Sequence, residues 1–232
     1  MGLRIRRKRD IVAIDGPAGA GKSTVAKLVA EKLNYFYIDT GAMYRAVTLK
    51  ALKEKIDFAD EKKLVDLSAK ADIQFKKDKS KGLRIFLDGK DVSKRIREKD
   101  INLNISALSK IKGVRENMVL RQRKLGEKGK VVLEGRDIGT VVFPEARYKF
   151  YLDADFPERV ARRYKELILQ GKKISWEEVR KDLLRRDRSD KLRKIAPLRK
   201  ARDAIYIDTT HLSINEVVEK IISFIKADSS KH

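Results

Sequence analysis

The residues most directly suited to chemistry are Gly16 to Ser23, which read GPAGAGKS and match the phosphate-binding spacing G-x-x-x-x-G-K-[ST]. Glycines let successive backbone N–H groups face a phosphate, and the N-terminus of a following helix adds positive partial charge. Lys22 can reach the β- and γ-phosphates, and the Ser23 hydroxyl can ligate Mg²⁺. The alternative is a glycine-rich turn without a ligand. We expect a ligand, because an apolar run precedes the loop and a helical pattern follows it. The sequence therefore predicts that the chain binds a nucleoside triphosphate.

Two more groups of reactive side chains follow predicted strands. They are Asp39-Thr40-Gly41-Ala42-Met43-Tyr44-Arg45 and Glu134-Gly135-Arg136-Asp137. Open α/β sheets bind their ligands at the C-terminal ends of strands, so both groups are candidate binding residues. Structural alternatives remain for each. Thr40 could be a helix N-cap with Tyr44 in the core, and Arg136 with Asp137 could form a surface ion pair.

Arginines are concentrated in the C-terminal third of the chain. In a helix, Arg159 and Arg163 share a face, as do Arg186 and Asp190. Arginine suits sites where several phosphates are bound bidentately. A solvated helix with surface salt bridges is the alternative interpretation.

These residues need a scaffold, and the chain alternates between strand and helix patterns. Predicted buried strands occupy residues 11–14, 35–38, 131–133, 148–152 and 204–207. Helix starts are predicted from capping signals at Asp155-Phe-Pro-Glu158, Ser175-Trp-Glu-Glu178 and Ser213-Ile-Asn-Glu216. Such alternation indicates a parallel sheet with crossover helices.

The middle of the chain departs from this alternation. Short strands are predicted at residues 73–75, 84–87 and 90–92, and Asp88-Gly89 is a strong tight-turn signal. We interpret residues 60 to 100 as a small antiparallel insert, followed by helical stretches to Leu125.

Composition excludes several classes of protein. The 232 residues contain no cysteine and two histidines, which argues against a disulfide scaffold, a thiol nucleophile and a zinc site. No signal peptide or membrane span is recognisable, so a cytoplasmic protein is expected. The net charge of +22 is consistent with a nucleic-acid surface or with a generally basic surface around anionic substrates. The second interpretation is favoured because the basic residues are dispersed and lack interleaved aromatic residues.

Taken together, these motifs resemble the bacterial cytidylate kinases, which are nucleoside monophosphate kinases. The resemblance rests on Ile14–Thr24, Asp39–Arg45, the run EGRDIGTVVFP at residues 134–144, and Arg186-Asp187, Asp190, Arg193 and Ala196-Pro-Leu198. It extends from about Ile11 to the C-terminal helix, and the EGRDIGTVVFP run is its most specific part. It implies an α/β fold of the P-loop NTPase type: a parallel sheet flanked by helices, an inserted antiparallel monophosphate-binding domain and a helical lid.

The resemblance also implies boundaries for these parts. Residues 1–10 would be a basic arm, residues 11–40 and 126–228 the core, and residues 41–125 the monophosphate-binding domain. The lid would occupy residues 159–187.

The resemblance further implies a role for each matching position. The ATP phosphates would contact Gly16, Pro17, Ala18, Gly19, Ala20, Gly21, Lys22, Ser23 and Thr24, with Arg162 also on the ATP side. Ser106, Arg115 and Asp137 would bind the cytosine, Arg186 and Asp190 the ribose, and Arg45, Arg136 and Arg193 the acceptor phosphate. Asp39, Thr40 and Tyr44 would complete the CMP pocket. The catalytic residues would be Lys22, Arg136, Arg159 and Arg163, and Ser23 would hold Mg²⁺ together with phosphates and water.

The predicted function is therefore ATP-dependent phosphorylation of CMP and dCMP. The chain would act as a monomer on small molecules, with no specific nucleic-acid partner and no membrane. Two alternatives stay open at this point. One is a related kinase acting on UMP, AMP or a sugar acid, and the other is a nucleic-acid-binding protein with an ATP switch.

Overall fold

In the computed structural model, which describes residues 10–78 and 82–229, the chain has an α/β fold. The strands are β1 Ile11–Asp15, β2 Phe36–Asp39, β3 Ile73–Asp78, β4 Gly82–Leu87, β5 Lys90–Asp91, β6 Val131–Gly135, β7 Tyr148–Asp153 and β8 Ile205–Asp208. The helices are α1 Lys22–Leu33, α2 Thr40–Lys53, α3 Glu61–Lys70, α4 Lys99–Leu108, α5 Lys112–Leu125, α6 Phe156–Leu169, α7 Trp176–Leu192 and α8 Ile214–Ser229. Arg95–Arg97 form a 3-10 turn and Ile138–Val142 a π-helical turn. The predicted basic arm lies almost entirely outside the described residues.

The larger sheet has five strands in the order β2-β6-β1-β7-β8. β1 pairs in parallel with β6 and β7, and β7 pairs in parallel with β8. The central strands β1 and β6 are buried along their whole length. This burial explains their continuous apolar runs, because crossover helices cover both faces of a parallel sheet. The register aligns Asp15 at the end of β1 with Gly135 at the end of β6.

The smaller sheet is antiparallel, with the order β3-β4-β5. Asp88 and Gly89 connect β4 to β5 with φ angles of 49° and 76°. Two successive positive φ angles are the requirement of a type I′ hairpin turn, which Asp-Gly satisfies well.

The described residues divide into two compact units. The first contains residues 10–37, Gly126–Leu192 and residues 196–229, and the second contains Ile38–Leu125 and Arg193–Ile195. The parallel sheet with a separate antiparallel sheet confirms the predicted fold class. No helix in the described part of the chain is both long and apolar enough to cross a membrane.

Two of the three predicted capping signals at helix starts are confirmed. The boxes Ser175–Glu178 and Ser213–Glu216 both form with reciprocal hydrogen bonds. The predicted Asp155 cap is wrong, since its side chain makes no capping bond although α6 begins there. Its backbone N–H is bonded to Thr210 Oγ1, and Glu158 pairs with Arg162 instead of turning back to the cap.

Candidate active site

The GPAGAGKS loop leaves β1 and ends where α1 begins at Lys22. Gly19 has a φ of 80°, and a Cβ atom there would lie 2.8 Å from the carbonyl oxygen of Arg159 in α6. Glycine is therefore required at this point both by the backbone conformation and by the close approach of α6. The first N–H groups of α1 have no partner within the helix, as in any helix, and they form the expected anion-binding end.

Lys22 is 5 % exposed, and its Nζ donates to the carbonyl oxygen of Pro17 at 2.6 Å. Burial, together with the charge of the nearby Arg136, lowers the pKa of this amine to about 7, even though Glu134 and Asp190 act in the opposite direction. An arriving polyphosphate would favour the charged form, because an opposite charge nearby stabilises it. Lys22 is thus suited to bind an anion.

Ser23 Oγ donates to Glu134 Oε1 at 2.7 Å, and Tyr37 contributes a longer bond of 3.4 Å to the same oxygen. Hydroxyl and carboxylate oxygens are the donors that Mg²⁺ accepts, and Mg²⁺ usually retains waters and substrate oxygens as its other ligands. Among the described residues, no group of three or more His, Cys, Asp or Glu could hold a metal alone. The pair fits a metal that arrives with a nucleotide. The sequence placed Glu134 in a candidate binding group at a strand end but assigned it no role of its own, and its contact with Ser23 shows which side chain it meets.

Arg136 Nε donates to Asp190 Oδ2 at 2.8 Å, so two of the predicted substrate residues lie in contact. Burial opposes the charge on Arg136, but Asp190 and Glu134 outweigh it and raise the pKa of the guanidinium. Asp137 is buried, which excludes the alternative of a surface Arg136–Asp137 pair. Lys22, Glu134, Arg136 and Asp190 thus form a mutually interacting charged cluster.

The three arginines assigned to the predicted lid take different partners. Arg159 is buried, and its Nη1 donates to Asp187 Oδ2 at 2.6 Å and to the carbonyl oxygen of Ala18 in the loop at 3.0 Å. Arg162 donates to the hydroxyl and carbonyl of Thr209, at 2.9 and 2.6 Å. Arg163 pairs with Glu166 on the surface of α6. Asp187 belongs to the residues that carry the family resemblance, but the sequence assigned it no role and did not predict its burial.

Ala18 also joins an apolar cluster with Val160 of α6 and with Val179 and Leu183 of α7. Phe156, Tyr164, Leu167 and Ile174 pack against this cluster. The phosphate loop is therefore fixed to α6 and α7 by apolar packing as well as by Arg159. This contact connects the predicted lid to the phosphate loop.

The second unit contains the remaining predicted CMP residues except Arg186, which lies on α7 in the first unit with its Nη1 3.9 Å from Asp182 Oδ2. Asp39 caps α2 by accepting from the N–H of Ala42 at 2.7 Å, and both of its oxygens accept from Arg45 Nη2, at 3.2 and 3.0 Å. The cap is Asp39, so the alternative that assigned it to Thr40 is wrong. Arg97, which was not predicted, lies 3.7 Å from Asp39.

A further contact in this unit joins two predicted residues. The guanidinium of Arg115 lies over the ring of Tyr44, 5.6 Å from its centroid, and Arg115 Nη1 donates to the carbonyl of Ser109 at 3.1 Å. Both residues are buried, while Ser106 is half-buried on α4. Thr40 and Arg193 are further predicted residues that lie buried in this unit.

A parallel sheet with a complete phosphate loop between its β1 strand and α1 defines a P-loop nucleotide-binding protein. A family model described as "Cytidylate kinase" matches residues 12–227. The chain is 50% identical over 222 residues to a cytidylate kinase of Bacillus subtilis (strain 168), covering 96% of this chain and 99% of that protein. It is 52% identical over 215 residues to a cytidylate kinase of Clostridioides difficile (strain 630), covering 93% and 97%. The chain belongs to the cytidylate kinase family and is a phosphotransferase.

A solved structure agrees with the fold. An uncharacterized protein from Eubacterium ventriosum ATCC 27560 matches with a TM-score of 0.52 at 16% identity, covering 95% of this chain and 99% of that one. At this identity the likeness concerns the fold alone.

Proposed function

We propose that the chain transfers the γ-phosphoryl group of ATP to CMP, and to dCMP. The observation that carries the proposal is the identity of about half of all residues, over nearly the whole chain, with curated cytidylate kinases. The charged cluster around Lys22 supports it, because phosphoryl transfer depends on placement and charge neutralisation more than on covalent chemistry.

On the donor side, the loop Gly16–Thr24 would bind the ATP phosphates, with Lys22 on the β- and γ-phosphates. Ser23 and Glu134 would hold Mg²⁺, which would supply further charge neutralisation on the phosphates. Arg162 would belong to the ATP side. Arg159 and Arg163 would stabilise the transferring group from the lid.

On the acceptor side, Asp137 would accept a hydrogen bond from the cytosine amine, while Ser106 and Arg115 would donate to the ring nitrogen and carbonyl. Arg186 and Asp190 would bind the ribose. The phosphate would be held by Arg45, Arg136 and Arg193, beside Asp39, Thr40 and Tyr44. The phosphate of CMP is already an anion, so the mechanism needs no general base. Preorganised arginines and Lys22 would provide most of the stabilisation.

The direct experiment measures ATP-dependent phosphorylation of CMP, UMP, AMP and GMP in the presence of Mg²⁺. CMP is expected to have the highest kcat/KM, and omission of the metal is expected to abolish turnover. A preference for another monophosphate would contradict the proposal. The alternative, a kinase acting on UMP, AMP or a sugar acid, is tested by the same assay when a sugar acid is included as an acceptor.

The proposal also includes a monomeric state, a cytoplasmic location and the absence of a specific nucleic-acid partner. Light scattering after size exclusion tests the first, and fractionation of cells tests the second. A filter-binding titration with salt tests the third. Dispersed basic residues predict weak binding that falls steeply with salt and does not depend on sequence. Tight binding to one defined RNA or DNA at physiological salt would favour the alternative class.

A further inference from the structure

Asp15 is a buried carboxylate that no role in the proposed mechanism uses. It is the last residue of β1, immediately before the phosphate loop, and it is 4 % exposed. Its Oδ1 accepts from the N–H of Ile138 and its Oδ2 from the N–H of Gly139, each at 2.8 Å. Asp15 therefore binds the two residues that directly follow Asp137.

This arrangement follows from the sheet register. Asp15 and Gly135 end neighbouring parallel strands, so the chain leaving β6 turns across the end of β1. There it enters the π-helical turn Ile138–Val142, whose first N–H groups require acceptors outside the turn. The Asp15 carboxylate satisfies two of them from another strand.

The turn is closely packed at Gly139. A Cβ atom at Gly139 would lie 3.2 Å from Cδ of Lys149 and 3.5 Å from Oδ2 of Asp15. Lys149 in turn donates from Nζ to the carbonyl of Pro144 and to Asp203. The segment that carries Asp137 thus packs against two buried charged side chains, which reach Gly139 from β1 and β7.

Keeping Asp15 in this place is costly. The pKa of Asp15 is raised to about 7, mainly by burial and to a smaller extent by the charge of Asp137. The hydrogen bonds from Gly139 and Ile138 and the charge of Lys22 lower it, but they do not outweigh the burial. A buried carboxylate of this kind is not the most stable way to end a strand. Its geometry instead fixes the backbone of a turn that bears a site residue.

We propose that Asp15 is a positioning residue for base selection: it holds the turn after β6 so that the Asp137 carboxylate meets the cytosine amine. The inference rests on the proposed function, in which Asp137 binds the base. Hydrogen-bond recognition requires placement within about half an ångström, so a small shift of this turn would weaken discrimination between CMP and UMP.

The first test is Asp15→Asn. The amide can accept from one N–H group, but its own NH₂ then faces the other, and the turn must move. We expect kcat/KM for CMP to fall by about tenfold or more and the CMP-to-UMP ratio of kcat/KM to fall by a similar factor. The KM for ATP should stay within about threefold, because the charge of Asp15 influences Lys22 less than its other charged neighbours do, and the loop contacts of Ala18 and Pro17 are unchanged. An unchanged CMP-to-UMP ratio would overturn the inference.

A matched control is Asp60→Asn. Asp60 also accepts a backbone N–H, from Lys63 at 3.0 Å, but it caps α3 in the second unit. The same chemical change there should leave the CMP-to-UMP ratio unaltered. If both variants lower the ratio equally, the effect is not specific to the turn and the inference fails.

A double-mutant cycle shows whether Asp15 acts through Asp137. In an Asp137→Asn background, Asp15→Asn should change the CMP-to-UMP ratio by less than about twofold, because the residue it positions has already been altered. Independent, multiplicative effects would contradict a positioning role.

Gly139→Ala provides a second route if Asp15→Asn does not fold. The added methyl group would lie 3.2 Å from Cδ of Lys149, so the turn and this side chain must move apart without any change of charge. This variant too should lower the CMP-to-UMP ratio. An unchanged ratio in this variant would overturn the inference on its own. Assays of the wild-type protein separate a failure of the proposed function from a failure of the role given to Asp15. Inactivity on CMP would refute the proposed function, whereas normal wild-type selectivity with unaffected variants would refute only the role of Asp15.

Discussion

The buried pair Arg159–Asp187 makes a sharp prediction about stability. Both residues are 6 % exposed, and the guanidinium is bonded to Asp187 at 2.6 Å and to the carbonyls of Ala18 and Ala154 at 3.0 Å each. Within the described residues, Asp187 Oδ1 has no hydrogen-bond partner. The bond from Arg159 to Oδ2 therefore has to offset the cost of burying this carboxylate. Replacing Asp187 by Asn would leave a buried guanidinium facing neutral acceptors only.

Breaking a buried ion pair from one side costs about 3–5 kcal/mol. For a chain of this size, each kcal/mol lowers the thermal midpoint by roughly 2–4 °C. We therefore expect Asp187→Asn to lower the midpoint by roughly 6–12 °C at the lower bound of about 3 kcal/mol. Calorimetry or circular dichroism of the purified protein measures this shift directly.

The control is the surface pair Arg163–Glu166 on α6, the helix that also carries Arg159. Arg163 and Glu166 lie 2.7 Å apart, but the Glu166 side chain is 47 % exposed, so Glu166→Gln should cost less than about 1 kcal/mol. Replacing both buried partners, as Arg159→Met with Asp187→Leu, should restore most of the lost stability, because no unpaired charge is left. A midpoint for Asp187→Asn within about 2 °C of the wild type would refute the reasoning.

Three further predictions follow from single contacts. Lys22→Ala should reduce kcat by about 100-fold or more, a loss of roughly 3 kcal/mol of transition-state stabilisation. The thermal midpoint should not fall, because burial disfavours the charged form of this amine in the folded protein. Near-normal turnover in an assay of phosphoryl transfer would remove Lys22 from the mechanism. Ser213→Ala should lower the free energy of unfolding by about 1 kcal/mol, because it breaks the capping box of α8, whereas Ser223→Ala on the exposed face of that helix should not. In the folded protein the pKa of Asp15 is raised to about 7 from 3.8, so its contribution to stability is present below pH 4 and is lost as the pH rises to 7. Urea unfolding should show that Asp15→Asn removes this decrease, and an unaltered pH profile would contradict the burial of a titrating carboxylate.

The sequence predicted those features that depend on neighbouring residues. The boxes at Ser175 and Ser213, the Asp88-Gly89 turn and the strand preceding the phosphate loop are local patterns, and the structure confirms each of them. The Asp155 side chain makes no capping bond. The Glu158 half of the box is also absent, because Thr210, 55 residues away, accepts from the backbone N–H of Asp155 in its place.

Long-range partners account for what the sequence could not predict in the site. Asp187 meets Arg159 across two helices, and Asp15 meets Ile138 across 123 residues. Charge and spacing mark such residues as polar, but only the packing of α6 on α7, or the register of β1 with β6, decides which of them are buried together. The roles given to individual substrate residues remain predictions that kinetics must test.

Selection of CMP through the Asp137 carboxylate is the claim on which the account depends most. A carboxylate can accept from the cytosine amine, whereas UMP presents an oxygen at that position and leaves two acceptors facing each other. Such a mismatch can reach roughly 10⁴-fold discrimination. The decisive measurement is kcat/KM for CMP and UMP in the wild type and in Asp137→Asn. The account predicts a large loss for CMP with UMP improving relative to CMP, because the amide can donate. An equal loss for both substrates, with the ratio unchanged, would contradict it.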